Sequence, residues 1–459
     1  MNYDLIVLGG GPAGYLAAER AGQAGMKVVC IEKEHLGGTC LNEGCIPTKT
    51  FLYSAKICDG VRHGETYGIS VSDIQVDQAA VVRRKNKVVN TLVRGVGAAL
   101  RASKAEVVIA DGKILPREGR DFRVYAGEKI YEAPRLLIAT GSETVIPSIP
   151  GVQEGLASSF VLTNRELLML EDIPQELVVI GGGVIGLEFA SYFNSVGSHV
   201  TVIEMMDHIA GPNDPDLVAE LKKKMEKRGI VFQLGTKVTG IKEKSVLCEK
   251  NDQTMEIGAD RVLLSIGRRA RTAGLGLENI GVVLQRGAVV TDEHMLTNVA
   301  NVYAAGDVNG RDMLAHVAYR EAEVAIHHML GQRDHMRYTA VPTVLYTNPE
   351  LSCVGESEAG AMDKGLDVTV IKLPMEYSGR YVAENEEGGG VCKLIVSNKT
   401  KSIIGAHFLG TYSSEFLTAL STFIELELPI DSVKEIIYPH PTVCEIVKEA
   451  AAQYRPHQL

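Results

Sequence analysis

One arrangement occurs twice in this chain and narrows its possible folds more than any other feature. Residues 3–9 read as a short buried strand, Gly9-Gly10-Gly11-Pro12-Ala13-Gly14 follows at once, and residues 15–21 have the composition of a helix. A second strand over 27–31 closes on Glu32. The same order returns at 177–180: an apolar strand, Gly181-Gly182-Gly183-Val184-Ile185-Gly186, a helical run over 187–196, and a strand over 199–203 closing on Glu204. First glycine and acid lie 23 positions apart in both copies. A merely flexible turn has no reason to keep that register, whereas a dinucleotide-binding unit does. Its first glycine (Gly9, Gly181) allows a tight turn, and the second (Gly11, Gly183) lets backbone approach a pyrophosphate at the positive helix end. The third (Gly14, Gly186) lets helix and strand pack closely, and the acid (Glu32, Glu204) can bond ribose hydroxyls.

Two such units imply two dinucleotides, and the common use of the pair is hydride passage between a nicotinamide and a flavin. The second unit ends in Glu204-Met205-Met206-Asp207, with no arginine placed for a 2′-phosphate, so NAD(H) is expected over NADP(H). The 459 residues suffice for about three domains. A content of 45% hydrophobic and 23% charged residues excludes a disordered or fibrous chain. A net charge of −10 argues against nucleic acid as a partner. No run of about 18 apolar residues could span a bilayer. The start, Met1-Asn2-Tyr3-Asp4, shows no leader, so a cytoplasmic protein is expected. Eight cysteines are too few for a disulfide scaffold.

Two of them stand close together, in Gly37-Gly38-Thr39-Cys40-Leu41-Asn42-Glu43-Gly44-Cys45-Ile46-Pro47-Thr48-Lys49. On a regular helix a spacing of five would separate Cys40 and Cys45 by ~7.5 Å along the axis and ~140° around it. Bridging them requires a distortion, which Gly44 permits. Two core thiols or half a zinc site remain open, although this spacing is not common for zinc. A place directly behind the first nucleotide unit favours a redox-active pair.

That run, both glycine motifs, Ala139-Thr140-Gly141-Ser142, Ala305-Gly306-Asp307 and His440-Pro441-Thr442-Val443-Cys444-Glu445 together resemble the class I flavin disulfide reductases, over essentially the whole chain and in the family's order. The closest likeness is to members that oxidise dihydrolipoamide. The resemblance implies a Cys40–Cys45 redox disulfide, with Cys45 facing the flavin and Cys40 exchanging with substrate. It implies FAD in the first unit, contacted by Thr39, Lys49, Gly112, Thr140, Gly141, Ser142, Asp307 and the segment Met313-Leu314-Ala315-His316. It lays Glu188 near the flavin–nicotinamide contact, Gly267 on the nicotinamide side of the NAD site and Val238 on its adenine side. His440, paired with Glu445, would come from the other subunit of a homodimer and act as base. A proline after His440 suits the first turn of a helix, so His440 is expected at a helix start with Glu445 a turn further in.

The chain departs from the family at Glu43, where an apolar residue is frequent, and at Tyr438-Pro439, where His-Ala is more frequent. The final residues, 453–459, carry no cysteine pair, which disfavours a mercury-reducing member. Glu204 disfavours a glutathione-type one.

The expected fold is α/β: two Rossmann-like dinucleotide-binding domains, for FAD and NAD, and a C-terminal α+β dimerisation domain. Expected boundaries are 1–145 for FAD, 146–271 for NAD, 272–340 for the returning FAD domain and 341–459 for dimerisation, with Pro147-Ser148-Ile149-Pro150-Gly151 as crossing linker. A lipoyl-bearing protein, the E2 or H protein of a larger complex, is the expected partner, and no metal site is expected. Two rivals stay open: an NADH-dependent enzyme of this fold with another disulfide or quinone acceptor, and a flavoprotein kept as a structural subunit.

Overall fold

The computed structural model describes residues 3–455; Met1, Asn2 and 456–459, part of the two chain ends read above, lie outside it. Buried strand Leu5–Leu8 pairs in parallel with Val28–Glu32 on one side and Leu136–Ile138 on the other. Glu106–Ile109 and Val302–Ala304 complete a five-stranded parallel sheet. In the second unit Glu176–Ile180 takes the central place between His199–Ile203 and Arg261–Leu264, with Val231–Gln233 and Val161–Leu162 at the edges. The continuous apolar runs of the central strands follow from this, because a parallel strand covered on both faces has no solvated side to alternate toward.

The repetition goes further than the glycine motifs. Each unit inserts a three-stranded antiparallel meander before its last inner strand. The first comprises Lys113–Ile114, Phe122–Ala126 and Lys129–Ala133; the second Lys237–Lys242, Ser245–Lys250 and Gln253–Gly258. The copies part at one edge strand. The first sheet takes Val302–Ala304 from beyond the whole second unit, while the second takes Val161–Leu162 from before its own start. The chain crosses between the units through Ser142–Thr144, which pairs antiparallel with Arg268–Ala270.

Helix Pro12–Gln23 buries Ala13, Gly14, Ala17, Ala18 and Ala21 and packs beside helix Ala315–Met329 through small residues such as Ala318, Ala322 and Ala325. The remainder forms a five-stranded antiparallel sheet in the order Thr343–Leu345, Leu351–Gly355, Ser402–Leu409, Val391–Ser397, Val368–Pro374. Helices Ser413–Glu425, Ile430–Glu435 and Glu445–Ala452 bury Leu417, Leu420, Val433, Ile446 and Ala450 in its core. Among the described residues no helix is long and apolar enough to cross a membrane.

Candidate active site

The two glycine turns are nearly superimposable in their local constraints. Gly9 has φ of 107° and Gly181 of 108°, in the region an L side chain rarely adopts. A Cβ on Gly14 would stand 1.8 Å from the Gly9 carbonyl oxygen, and one on Gly186 2.1 Å from that of Gly181. Gly11 and Gly183 head helices Pro12–Gln23 and Val184–Val196 as extended N-caps, and their helix ends have no side-chain cap. Uncapped N–H groups at a helix start, free of Cβ crowding, fit a pyrophosphate. The acids match too. Glu32 accepts from Gly10 N at 2.6 Å and Glu34 N at 2.7 Å; Glu204 accepts from Gly182 N at 2.7 Å and Met206 N at 2.8 Å.

Gly112 lies where a Cβ would come within 2.4 Å of Leu8 Cδ1, so the backbone runs close over the first sheet. Val238 is buried in the core behind the second sheet, two residues after Thr236, whose N–H donates to the Glu204 carbonyl. Gly267, with φ of 120°, accepts through its carbonyl from Val145 N.

The cysteines occupy two different helices. Gly38–Asn42 carries Cys40 and Thr39, the chain breaks at Glu43 and Gly44, and Cys45 is the first residue of Cys45–Arg62. The two thiols are near enough to act on each other electrostatically. The pair is asymmetric. The hydrogen bond from Cys40, then the charge of Lys49 and the N–H groups at the helix start, hold Cys45 below the ordinary thiol value against the opposing effect of burial. The same hydrogen bond, together with burial, pushes Cys40 far up.

Lys49, one turn into the cysteine helix, donates to both oxygens of Glu188 at 2.8 Å and lies 4.5 Å above the Tyr346 ring. Glu188 is 3% exposed and also accepts from Tyr346 N at 3.1 Å. These are not solvated helix charges. They tie the cysteine helix to the helix that follows the second glycine turn, which brings the two nucleotide units together at Cys45.

Asp307 accepts from Ser142 Oγ at 2.5 Å, and Ser142 in turn accepts from Arg268 Nε at 2.8 Å. Thr140 Oγ1 donates to the Arg271 carbonyl, and Gly141, with φ of 70°, accepts from Arg271 N. Arg268, which the sequence reading passed over, also reaches Thr39 Oγ1 at 3.5 Å and Thr144 Oγ1 at 3.4 Å. Burial lowers its guanidinium from the ordinary value. It lines a polar cleft of about 290 Å³ with Glu32, Gly38, Thr39 and Asn42. Glu321 was also missed: wholly buried, it accepts from Gly306 N at 2.6 Å and Tyr338 OH at 2.7 Å and so fixes the turn that presents Asp307. Met313 and Leu314 lead into helix Ala315–Met329, where Ala315 is the first residue and His316 Nε2 donates to the Pro342 carbonyl at 2.8 Å. An uncapped helix start in the first unit, with Glu32 and Thr39 lining a cleft beside Arg268, fits a dinucleotide such as FAD.

His440 does not stand at a helix start. The helix begins at Glu445, because that carboxylate accepts from Thr442 N at 2.8 Å while Thr442 Oγ1 donates to the Pro439 carbonyl at 2.7 Å, closing 439–442 into a turn. His440 Nδ1 nevertheless donates to Glu445 Oε1 at 3.0 Å. The carboxyl is held below its usual range, first by the Thr442 N–H and then by His440. The His440 side chain is 79% exposed.

Comparison with known proteins agrees with this layout. A family model described as pyridine nucleotide-disulphide oxidoreductase matches residues 3–322, and one for the dimerisation domain of those proteins matches 341–451. A dihydrolipoyl dehydrogenase of Chlamydia muridarum is 38% identical over 455 residues, 98% of this chain and 96% of that one. One from Bacillus subtilis is 36% identical over 467 residues, 98% and 97% of the two chains. Among solved structures, LpdA from Mycobacterium tuberculosis gives a TM-score of 0.89 at 26% identity, covering 98% of this chain and 99% of that one. The HOCl-induced flavoprotein disulfide reductase RclA of Escherichia coli gives 0.87 at 29%, covering 99% and 100%.

Proposed function

The chain belongs to the pyridine nucleotide-disulphide oxidoreductase family, and we propose from that premise that it catalyses the reaction of its dihydrolipoyl dehydrogenase relatives, oxidation of dihydrolipoamide to lipoamide with NAD+. The observation that carries this reading is the asymmetry of the cysteine pair. Cys45, the first residue of its helix and one turn from the Lys49 that grips Glu188 of the second unit, is placed to hand on electrons, while Cys40, on the preceding short helix, serves exchange. Bound FAD supplies the two-electron relay between the dithiol and NAD+.

His440 of the partner subunit, oriented by Glu445, takes a proton from one thiol of dihydrolipoamide. The resulting thiolate attacks Cys40 Sγ in the oxidised pair, the Cys40–Cys45 bond breaks, and Cys45 leaves as thiolate. The second substrate sulfur, its proton passing to Cys40, then displaces Cys40 and closes lipoamide, so the pair ends with two more electrons than it began. Lys49 and Glu188 keep the cysteine helix against the second unit throughout. Gly181, Gly183, Gly186, Glu204, Gly267 and Val238 would hold NAD+. Gly9, Gly11, Gly14, Glu32, Thr39, Gly112, Thr140, Gly141, Ser142, Asp307 and 313–316 would hold FAD. The protein acts as a homodimer through its dimerisation domain, His440 and Glu445 completing the partner's site. We place it in the cytoplasm, serving a lipoyl-bearing E2 or H protein.

The test is lipoamide-dependent oxidation of NADH by the purified yellow protein and by Cys45→Ser. Turnover that falls at least about a thousandfold in the variant supports the reading. The likeness to RclA favours a second reading, reduction of another disulfide or a quinone; rapid NADH oxidation with such an acceptor and none with lipoamide would establish that instead.

A further inference from the structure

Glu43, where this chain departs from the family pattern, is also where the two cysteine helices break, and the second unit grips it there. Pro47 explains why a grip is needed. In an unbroken helix the Glu43 carbonyl would accept from the N–H four residues on, and proline has none. The Glu43 N–H stays with the first helix, donating to the Thr39 carbonyl at 2.8 Å, while its carbonyl accepts from Asn164 Nδ2 at 2.6 Å. Asn164 is 6% exposed, and its Oδ1 accepts in turn from Thr144 Oγ1 at 3.3 Å. The amide thus has one end on the break and the other on the strand Ser142–Thr144 that crosses between the units.

The next side chain adds a charge. Arg165 forms an ion pair with the Glu43 carboxylate and another, at 2.9 Å, with Glu34, two positions past the acid Glu32. Asn164 and Arg165 open helix Asn164–Leu167 just past Val161–Leu162, the edge strand that the second sheet takes from before its own start. A capping box fixes that helix start, with Glu166 accepting from Thr163 N at 2.8 Å. The cysteine segment is therefore tied to the second unit twice, at the break by Asn164 and Arg165 and further on by Lys49 and Glu188. The two ties at the break are unequal. Arg165 is 48% exposed in its side chain, and a half-solvated ion pair contributes little, whereas the carbonyl that Asn164 serves has no helical N–H to fall back on.

We propose that Asn164, with Arg165 in support, is a positioning residue for the thiol pair: it holds the break at Glu43 so that Cys40 and Cys45 stay within bonding reach when no S–S bond joins them. The need arises in every turnover. Once lipoamide has left, the dithiol and NAD+ must become disulfide, NADH and one proton released to water, and the S–S bond that forms requires the two sulfurs to meet. A covalent link present only in the oxidised form cannot hold the Cys40 helix for that step, whereas a bond from another unit can. Such a clamp raises the effective concentration of one thiol at the other and so favours closure over reduction by a free dithiol. The inference rests on the reading of Cys40 and Cys45 as the redox pair.

The experiment uses full-length holoenzyme carrying Asn164→Ala, Arg165→Met or Glu43→Gln. Each is equilibrated without nicotinamide in mixtures of reduced and oxidised dithiothreitol, quenched with iodoacetamide and read by mass for the Cys40–Cys45 disulfide. Asn164→Ala should need a mixture about tenfold more oxidising to reach half disulfide, the size of one lost hydrogen bond, and Arg165→Met one about twofold more oxidising. Glu43→Gln combined with Arg165→Met should shift no further than Arg165→Met alone, since both remove the same ion pair. In Asn164→Ala, kcat for dihydrolipoamide oxidation should fall with KM little changed, while NADH oxidation by ferricyanide, which needs no sulfur exchange, stays at the wild-type rate. Should Asn164→Ala fail to fold, Asn164→Asp, which keeps the shape but replaces the donor with an acceptor, takes its place. An unmoved midpoint overturns the proposal, and so does a moved one with a parallel loss of ferricyanide activity, which would show a packing role. If the wild type does not turn over lipoamide, the proposed function fails, and the dithiothreitol midpoint then decides this inference alone: a shift toward the dithiol supports it and an unmoved midpoint overturns it.

Discussion

The first and second nucleotide units repeat one plan strand for strand, and they differ in what surrounds their open ends. At the first, Arg268 donates to Ser142 and Ser142 to Asp307, while Glu321 holds the Gly306 N–H beside them, and the edge strand Val302–Ala304 is recruited from beyond the other unit. At the second, the rim is apolar and open: Val184, Ile266, Met205 and Met206 are 41%, 40%, 67% and 52% exposed. Two copies of one backbone solution have thus been finished differently. An enclosed polar rim suits a group that stays, and an open apolar one suits a nicotinamide that must arrive and leave each cycle. The comparison also shows why the chemistry sits between them, since the first unit carries the Cys40–Cys45 pair and the second carries the buried acid that anchors Lys49.

The sharpest way to break this comparison is to block each helix–strand contact in turn. Gly14→Ala would place a methyl 1.8 Å from the Gly9 oxygen, and Gly186→Ala one 2.1 Å from the Gly181 oxygen. Equal strain should give unequal phenotypes. The first variant should purify colourless, and the second yellow but with NADH turnover down roughly a hundredfold. Absorbance of the purified proteins checks this; two colourless proteins would show that the units do not divide the labour.

Next in size is the joint. Lys49→Met leaves Glu188, 4% exposed in its side chain, without its cation, at a cost of about 2–3 kcal/mol once the partial exposure of Lys49 is allowed for. Thermal melting measures that loss. The same change acts on Cys45, because Lys49 is one of the causes that lower it. A thiol lowered on folding contributes stability that is fully present above its unfolded value and fades as pH falls through the folded one. Without Lys49 the folded value rises toward the ordinary one. Alkylation of Cys45 in the reduced enzyme should therefore begin at higher pH, and an unmoved profile would leave the helix start and Cys40 as sufficient causes.

How much of this was legible follows from how locally each feature is determined. Gly9, Gly14, Gly181 and Gly186 could be read because a carbonyl within about 2 Å of a would-be Cβ forbids every other residue, and such sterics leave their mark at fixed spacing. The break between Cys40 and Cys45 was legible through Gly44. Arg268 was not, because its meaning arises only when Arg268–Ala270 pairs with Ser142–Thr144 across the whole second unit. Glu321 did leave a signal, an acid on the helix face that holds Ala318, Ala322 and Ala325, but its partner at Gly306 is made by tertiary packing. The antiparallel meanders went unread although Phe122, Val124 and Ala126 alternate inward, since attention to glycine motifs passed over a period-two run. The expected helix start at His440 failed because the Glu445 carboxylate caps the turn from inside the helix.

The finest distinction lies in the two acids, which make the same bonds to within a tenth of an ångström. Glutamine at either place keeps one accepting oxygen and turns an amide group toward the other N–H, a loss of about 1 kcal/mol. If the units are functionally distinct, that equal loss must surface in different observables. Glu204→Gln should raise KM for NADH roughly fivefold and narrow the preference over NADPH, because a carboxylate no longer repels the extra phosphate. Glu32→Gln should leave KM for NADH unchanged and instead speed the release of flavin in mild denaturant, followed by fluorescence. Were the two outcomes exchanged, the unit that carries Glu32 would be the one NADH visits, and the cysteines would stand beside the wrong dinucleotide for the chemistry assigned to them.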